Sequence, residues 1–312
     1  MSTYSREAPV QGADPPGSQD GPATAGAGLP GDGALAPVNT APRAAGRPDG
    51  TRRAGVSWKA WARVISPVVA VGLWQLASST GILPASKLAS PASVARTAQQ
   101  LITTNNPAYG TLQHSVLVSL ERWGIGLGLG VSIAVLLALV TGLSRIGEDA
   151  LDPLVQALRS VPLFGVLPLF IIWFGIGELP KILIVLLGAL FPMYVNTWAG
   201  IRGVDSKLGE VGRVLGLSRR EMVRHIVLPG ALPLALAGLR LAVVSSLLAL
   251  VVGEQINANA GLGFMITQAE QFLQNNIITV VLVVYAILGL IADAVVMLLQ
   301  RRVLAWRRDF VQ

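Results

Sequence analysis

The sequence contains no cysteine, only two histidines and little charge: 13% of its 312 residues are Asp, Glu, Lys or Arg. Without cysteine there is no disulfide framework, no thiolate metal site and no cysteine nucleophile. His114 and His225 lie far apart, and neither belongs to a two-histidine zinc helix motif. The four lysines follow Trp58, Ser86, Pro180 and Ser206, so the Gly-Lys-Ser/Thr core of a phosphate-binding loop is missing. Globular proteins carry about 25% charged residues. Half that share does not dress a soluble surface of this size. The chain is 52% apolar with mean hydropathy +0.59, which excludes a disordered protein, and no Gly-X-Y repeat suggests a fibre. The class that remains is a polytopic membrane protein.

The first fifty residues are different material from the rest. Seventeen are proline or glycine, and large apolar side chains are almost absent. Such a segment cannot bury enough surface to offset its chain entropy, so residues 1–57 are expected to form a disordered cytoplasmic tail. The tail lacks the continuous apolar core of a secretory signal, and cleavage is not expected. Residues 58–312 then form one membrane domain.

A helix needs about 20 apolar residues at 1.5 Å each to cross roughly 30 Å of hydrocarbon. Six runs qualify, at residues 64–79, 124–143, 160–177, 182–201, 228–253 and 277–300. The first is short and broken by Pro67; the third contains Pro162 and Pro168, and the fourth Pro192, each expected to set a kink. Only Glu178-Leu-Pro-Lys181 joins the third and fourth, which predicts an antiparallel hairpin. Gly124, Gly126, Gly128 and Gly130 sit in an uncharged run, where they read as small-residue packing against a neighbouring helix. The fold class is therefore all-α, with six transmembrane helices.

The cations orient this bundle. With the amino terminus inside, nineteen Lys and Arg fall on the inner side and four (Lys87, Arg96, Arg122 and Lys181) outside, leaving Arg240 within a span. That asymmetry predicts a cytoplasmic membrane protein with both termini cytoplasmic. The net charge of +7 is a topology signal. Nucleic-acid binding would need basic residues clustered with aromatics on a soluble face.

Six of the inner cations lie between the fourth and fifth runs. There the chain reads Arg202-Gly-Val-Asp-Ser-Lys-Leu-Gly-Glu210-Val-Gly-Arg-Val-Leu-Gly216-Leu-Ser-Arg-Arg-Glu221-Met-Val-Arg-His-Ile226-Val-Leu228-Pro229. Asp205 or Ser206 can cap a short helix with Leu208, Val211 and Leu215 on one face, and Gly216 suits the left-handed residue that ends it. Ser218 and Glu221 form a capping-box pattern that opens a second short helix. Arg219, Arg220 and Arg224 line one side of it, and Pro229 fits a turn into the next span. The periodicity leaves three readings open for this platform: a helix lying on anionic lipid, a solvated loop, or a docking surface.

The spacing Glu210, Gly216, Ile226, Leu228-Pro229 resembles the EAA signature of ABC importer permeases, with Val211 and Gly212 where that family carries two alanines. Other segments resemble the sulfonate, taurine and nitrate branch: residues 112–122, Arg159-Ser-Val-Pro-Leu, Pro168 to Gly177, Gly253-Glu254, Gly261-Leu-Gly263, Asp293 and Trp306. The resemblance covers residues 60–310. It implies the type I ABC importer permease fold, with residues 202–229 as a cytoplasmic coupling-helix loop that docks on an ATPase. Carried over by position, the ATPase contacts are Glu210, Gly216, Leu217, Ser218, Arg219, Ile226, Leu228 and Pro229. The implied partners are a second copy of this chain, two ATPase subunits holding ATP and Mg, and an extracytoplasmic solute-binding protein. No cofactor is expected on this chain itself, which would not be an enzyme. The implied substrate is a small organic anion, an aliphatic sulfonate or taurine, with nitrate and thiamine-precursor pyrimidines as alternatives.

Polar or aromatic groups inside spans tend to face a bundle interior, which makes Trp173, Asn196, Thr197 and Asn257 candidates to line a pathway, with Glu254 beside the outer loop at 254–276. Arg240 and Asp293 are charges within spans, costing about 2.5–3.5 kcal/mol or more unless paired or hydrated. Arg240 either serves an anion path, or lies near a span end or bonds to backbone carbonyls, while Asp293 supports helix packing; whether the two pair is open. A stand-alone secondary transporter or channel is the competing class, but such proteins commonly show inverted repeats, and no internal duplication is visible. A membrane enzyme would need a nucleophile, metal set or acid pair, and none emerges.

Overall fold

A computed structural model describes residues 58–80 and 89–306. The expected disorder of residues 1–57 lies outside the described residues, as do residues 81–88 and 307–312. Among the described residues the chain is helical with no strand, apart from a single bridge between Asn106 and Gly110.

Four helices are long and apolar enough to cross a membrane: α3 (Leu112–Leu143), α6 (Glu178–Arg202), α9 (Leu228–Asn257) and α11 (Asn275–Val303). They match the second, fourth, fifth and sixth expected spans. The helix α3 begins twelve residues before the apolar run that signalled it, and the other three exceed theirs by up to four residues. Thr111 caps α3 by accepting from the His114 N–H, so the segment at 112–122 is continuous with the span instead of preceding it.

The first expected span is met by a helix, and the third needs correction. The helix α1 (Trp58–Ser79) forms over the first expected run, and among the described residues Val69–Ser79 is apolar. The third run begins where α4 (Arg145–Arg159) ends; it holds only a 3-10 turn at Leu163–Val166 and the eight-residue α5 (Leu167–Phe174), which bend away from α4 by 89°. Proline explains the break. Pro162 has no N–H to continue the ladder and pushes Val161 away from the α region, while Pro168 falls in the first turn of α5, where a missing N–H costs nothing. Eight residues rise only about 12 Å, too little to cross alone. Pro192 and Pro233 are absorbed within α6 and α9. The hairpin turn is also displaced. It is made by residues 175–177, with Gly175 at φ +77°, whereas Glu178 to Lys181 form the first turn of α6.

The core is three helices deep, with α6 between α3 and α9. On α3 the buried positions Ser115, Ser119, Arg122, Gly126, Gly130, Ala134, Ala138 and Thr141 recur every three or four residues, forming one stripe of mostly small side chains. A Cβ on Gly130 would lie 2.9 Å from the Ala189 Cβ, and one on Gly188 would lie 2.9 Å from the Ala249 Cβ. The backbones therefore touch, which is how helices associate where lipid removes most of the hydrophobic drive. Of the four glycines read as packing residues, only Gly126 and Gly130 meet α6; Gly124 and Gly128 face open space. A second cluster joins α11 and the start of α3 to two short helices, α2 (Pro91–Thr103) and α10 (Leu262–Gln271), through Val94, Leu101, Leu262, Met265 and Val281.

Buried Tyr194 ties the bent segment to this core: its hydroxyl donates to Asp152 of α4 at 2.8 Å and lies 3.2 Å from the Thr141 hydroxyl of α3. Gly130→Val should lower the stability of the detergent-solubilised protein by about 1–3 kcal/mol, the usual cost of overpacking. Gly128→Val should leave the melting temperature unchanged. Equal effects from the two substitutions would refute this assignment of the α3–α6 seam.

Candidate functional site

The loop between α6 and α9 folds much as its residues dictate. Asp205 caps α7 (Ser206–Val214), its carboxylate accepting from the Lys207 N–H at 2.9 Å. The helix ends when Gly216 takes φ +73°, a backbone state open to glycine at little cost. The Leu217 N–H then reaches the Gly212 carbonyl and the Gly216 N–H that of Arg213, the paired closure of a Schellman motif. Ser218 and Glu221 complete the capping box: the Ser218 N–H donates to the Glu221 carboxylate at 2.8 Å, and the Glu221 N–H to the Ser218 hydroxyl at 3.4 Å. Besides this, the Ser218 hydroxyl holds the Glu221 carboxylate at 2.7 Å.

The next stretch differs from expectation. The short helix α8 (Arg219–Met222) does not turn before the next span; it passes through a π-helical turn at Val223–Val227 directly into α9. Pro229 is a first-turn residue of α9, not a turn residue. Lacking an N–H and crowding the carbonyl four residues back, it favours a widened turn just upstream. Gly212 is buried, and a Cβ there would come within 2.9 Å of the Met222 sulfur and 3.0 Å of Ile226 Cδ1. Glycine in place of the family's alanine thus lets α7 lie against the π turn. What faces outward is Glu210 with exposed Val211, Val214 and Leu215. Gly216, Ser218, Arg219 and Leu228 are exposed too, whereas Leu217, Ile226 and Pro229 are half-buried supports. Arg202, at the start of the loop, is paired with Glu148 of α4.

At the opposite end of α9 lies a charge cluster that the sequence did not assemble. Glu254 has no exposed surface. Its Oε1 accepts from Arg122 Nη1 at 2.7 Å, its Oε2 from the Gly263 N–H at 2.8 Å and the Tyr285 hydroxyl at 3.1 Å, and the Ser119 hydroxyl lies 2.8 Å from both oxygens. Ser119 in turn accepts from the Leu262 N–H at 2.8 Å. The N–H groups of Leu262 and Gly263 open α10, so the carboxylate also meets the positive end of that helix. Arg122 extends the cluster to Glu178 through two bonds and to the Ala260 carbonyl at 2.6 Å, and Lys181 binds Glu178 at 3.0 Å. Arg122 and Lys181, expected in outer loops, are buried in the bundle. The Gly261-Leu-Gly263 turn is what admits α10 so close: Gly261 has φ +118°, and a Cβ at Gly263 would lie 2.6 Å from the Glu254 Cβ.

The candidate pathway residues scatter. Glu254 is consumed by this cluster and lines nothing in the single chain. Trp173 points outward from α5, 62% exposed, in contact with Phe170 and Phe174. Asn196 sits on the α6–α9 seam against Gly238 and donates to the Pro192 carbonyl at 2.8 Å. Thr197 is buried and borders an apolar cavity of 530 Å³ shared with Leu228, Pro229 and Trp306. The Asn257 side chain lies outside the described residues. Arg240 neither lies near a helix end nor bonds backbone carbonyls. It pairs with Asp293, Nε donating to Oδ1 at 2.5 Å and Nη2 to Oδ2 at 2.8 Å, with the arginine side chain 52% exposed. No group of three or more His, Cys, Asp or Glu residues able to share a metal ion occurs among the described residues.

Removing one member of a buried ion pair leaves the other uncompensated, at about 3–5 kcal/mol. Arg122→Gln should therefore lower the stability of the solubilised protein by that order. Glu178→Gln, whose site is 58% exposed, should cost clearly less. Melting curves in one detergent rank the two, and the reverse order would contradict the cluster's structural role.

Comparison with known proteins agrees with this architecture. Residues 126–305 match the family of binding-protein-dependent transport system inner membrane components. A protein of Escherichia coli (strain K12) named as an aliphatic sulfonates transport permease, SsuC, is 44% identical over 77% of this chain and 89% of its own length. Its namesake from Bacillus subtilis (strain 168) is 38% identical over 79% of this chain and 88% of its own length. Among solved structures, that of an amino acid ABC transporter with histidines covers 68% of this chain and 97% of its own, at 18% identity and TM-score 0.53, a likeness of fold. The chain is thus a permease subunit rather than an enzyme, and it belongs to the family of binding-protein-dependent transport system inner membrane components.

Proposed function

We propose that this permease carries a small organic anion, an aliphatic sulfonate or taurine, into the cell, driven by ATP hydrolysis on partner subunits. Two copies of the chain would form the channel, two ATPases holding ATP and Mg would bind at the α7 loops, and a loaded solute-binding protein would dock at the other end. Both termini are cytoplasmic in this reading, following the excess of cations on the loop side.

The observation that carries the reading is the α7 loop itself. Its turn is fully built by Asp205, Gly216 and the Ser218–Glu221 box, yet the face bearing Glu210, Val211, Val214 and Leu215 is left uncovered. A solvated loop has no need of an apolar face, and a lipid-bound helix would not set a carboxylate in its middle. An acid flanked by exposed aliphatic side chains suits a groove on another protein. Glu210, Gly216, Leu217, Ser218, Arg219, Ile226, Leu228 and Pro229 are assigned to this coupling, some as contacts and some as supports. At the far end, exposed Phe272 and Leu273 between α10 and α11 offer the binding protein an apolar contact. Support for the anion comes from the names of the two permease relatives and from Arg240, a half-exposed cation midway along α9.

Replacing both Glu210 and Gly216 by alanine should reduce uptake on the order of tenfold or more, about 1.4 kcal/mol of lost coupling per factor of ten. The protein should still insert, because neither side chain packs in the core. ATPase activity of the reconstituted complex would then no longer follow uptake; normal transport would overturn the loop assignment. Titrating the partner binding protein with alkanesulfonates, taurine, nitrate and pyrimidines decides the substrate, and preference for either of the last two would overturn the sulfonate reading.

A further inference from the structure

The pair Arg240–Asp293 sits where a charge is hardest to keep. Arg240 is twelve residues into α9 and Asp293 ten residues from the end of α11, about 18 and 15 Å along their helices, the middle of a membrane span. Asp293 is tucked in at 28% exposure, whereas the arginine is half open to the outside of the chain. A half-exposed guanidinium cannot face hydrocarbon at that depth without a large penalty, so it faces either a water-filled route or a second copy.

What adjoins the pair chooses between these. One turn beyond Arg240 on α9 is Val244, and one turn before Asp293 on α11 is Gly289. Both border a cleft of 290 Å³ between the two helices, walled by Leu247, Leu248, Val251 and Tyr285. The cleft lies between two polar ties, the ion pair at one end and the contact of Tyr285 with Glu254 at the other. The cleft has room at Gly289, where a Cβ would meet only Leu247 Cδ1, at 3.8 Å. The whole is a site with one exposed, bidentate anion receptor and a narrow aliphatic wall. A small cleft of this kind fits a ligand with a compact anionic head and a short hydrocarbon tail.

We propose that the α9–α11 cleft is a translocation subsite for an aliphatic sulfonate. The sulfonate head displaces Asp293 from the Arg240 fork, and the tail lies along Val244, Leu247 and Val251. Asp293 acts as a resident anion that keeps Arg240 neutralised while the path is empty and yields when substrate arrives. A guanidinium suits this exchange because its planar fork binds two oxygens of either partner. The inference rests on the sulfonate reading and adds to it the place and the mode of binding.

The test uses proteoliposomes containing the complete transporter with its ATPase and binding protein, and radiolabelled taurine, ethanesulfonate and butanesulfonate. Wild-type uptake of sulfonate is the control. Arg240→Gln combined with Asp293→Asn keeps a hydrogen-bonding pair and removes both charges, so the complex should assemble; uptake of all three sulfonates should fall by about tenfold or more, the loss of a charge-assisted fork. Gly289→Leu fills the cleft. Since each buried methylene is worth roughly fourfold in affinity, this variant should depress butanesulfonate uptake much more than taurine uptake. An assembled neutral pair that transports at the wild-type rate overturns the head-group assignment, and an equal effect of Gly289→Leu on every chain length overturns the tail assignment. Wild-type liposomes that take up no sulfonate overturn the substrate reading and this subsite together, which separates that failure from the other two.

Discussion

A carboxylate without access to water stays charged only if donors surround it, and Glu254 meets that condition with Arg122 and Ser119 of α3, Tyr285 of α11 and the first turn of α10. Through Arg122 the same cluster takes in Glu178 and Lys181 at the start of α6. Every major helix of the described bundle therefore meets at one buried charge. The geometry around it is correspondingly narrow: Gly261 and Gly263 must lack side chains, because α10 begins directly over the acid. The cluster acts where ordinary hydrophobic collapse is weak. Lipid is as apolar as the helix surfaces, so small-residue contact and satisfied polar groups fix the arrangement.

Away from that end the helices are held by contact. The stripe from Gly126 to Ala138 on α3 and Gly188 on α6 bring backbones within reach of one another, and few polar groups intervene. Tyr194 pins the bent α4 segment through Asp152, and the Arg240–Asp293 pair ties α9 to α11. The two ends of the bundle are thus built differently: a dense ionic cluster at one, and at the other a tightly capped loop with an open face.

Long apolar runs were the most legible feature, because nothing but a helix satisfies a backbone across so many uninterrupted apolar residues. The loop was legible at the level of single caps, since Asp205, Gly216 and the Ser218–Glu221 box act within a few residues of themselves. The third span misled because hydropathy counts side chains and ignores the backbone, where Pro162 had already ended the helix. The glycine row misled for a similar reason: Gly126 and Gly130 share a helical phase with Ser119 and Arg122, whereas Gly124 and Gly128 lie off it. The charge cluster was not legible. Arg122 and Glu254 are separated by 132 residues, and no local pattern marks them as partners. Arg240 and Asp293, 53 residues apart, left the same question open until the helices were placed side by side.

The uninterrupted passage from α8 through the π turn into α9 has a mechanical meaning. The helical run Arg219–Ile256 contains 38 residues, a lever arm about 57 Å long. Its short arm lies against the buried Gly212 side of α7, opposite the exposed Glu210 face, and its long arm ends at Glu254. Tilting its long arm, about 43 Å from the π turn to Glu254, by about 5° sweeps the tip through about 4 Å, at 1.5 Å of rise per residue. That is more than the length of a hydrogen bond, and the tip carries the carboxylate on which the other helices converge. A push at the loop would thus be felt first as torque on the charge cluster, with the widened turn at Val223–Val227 as the fulcrum.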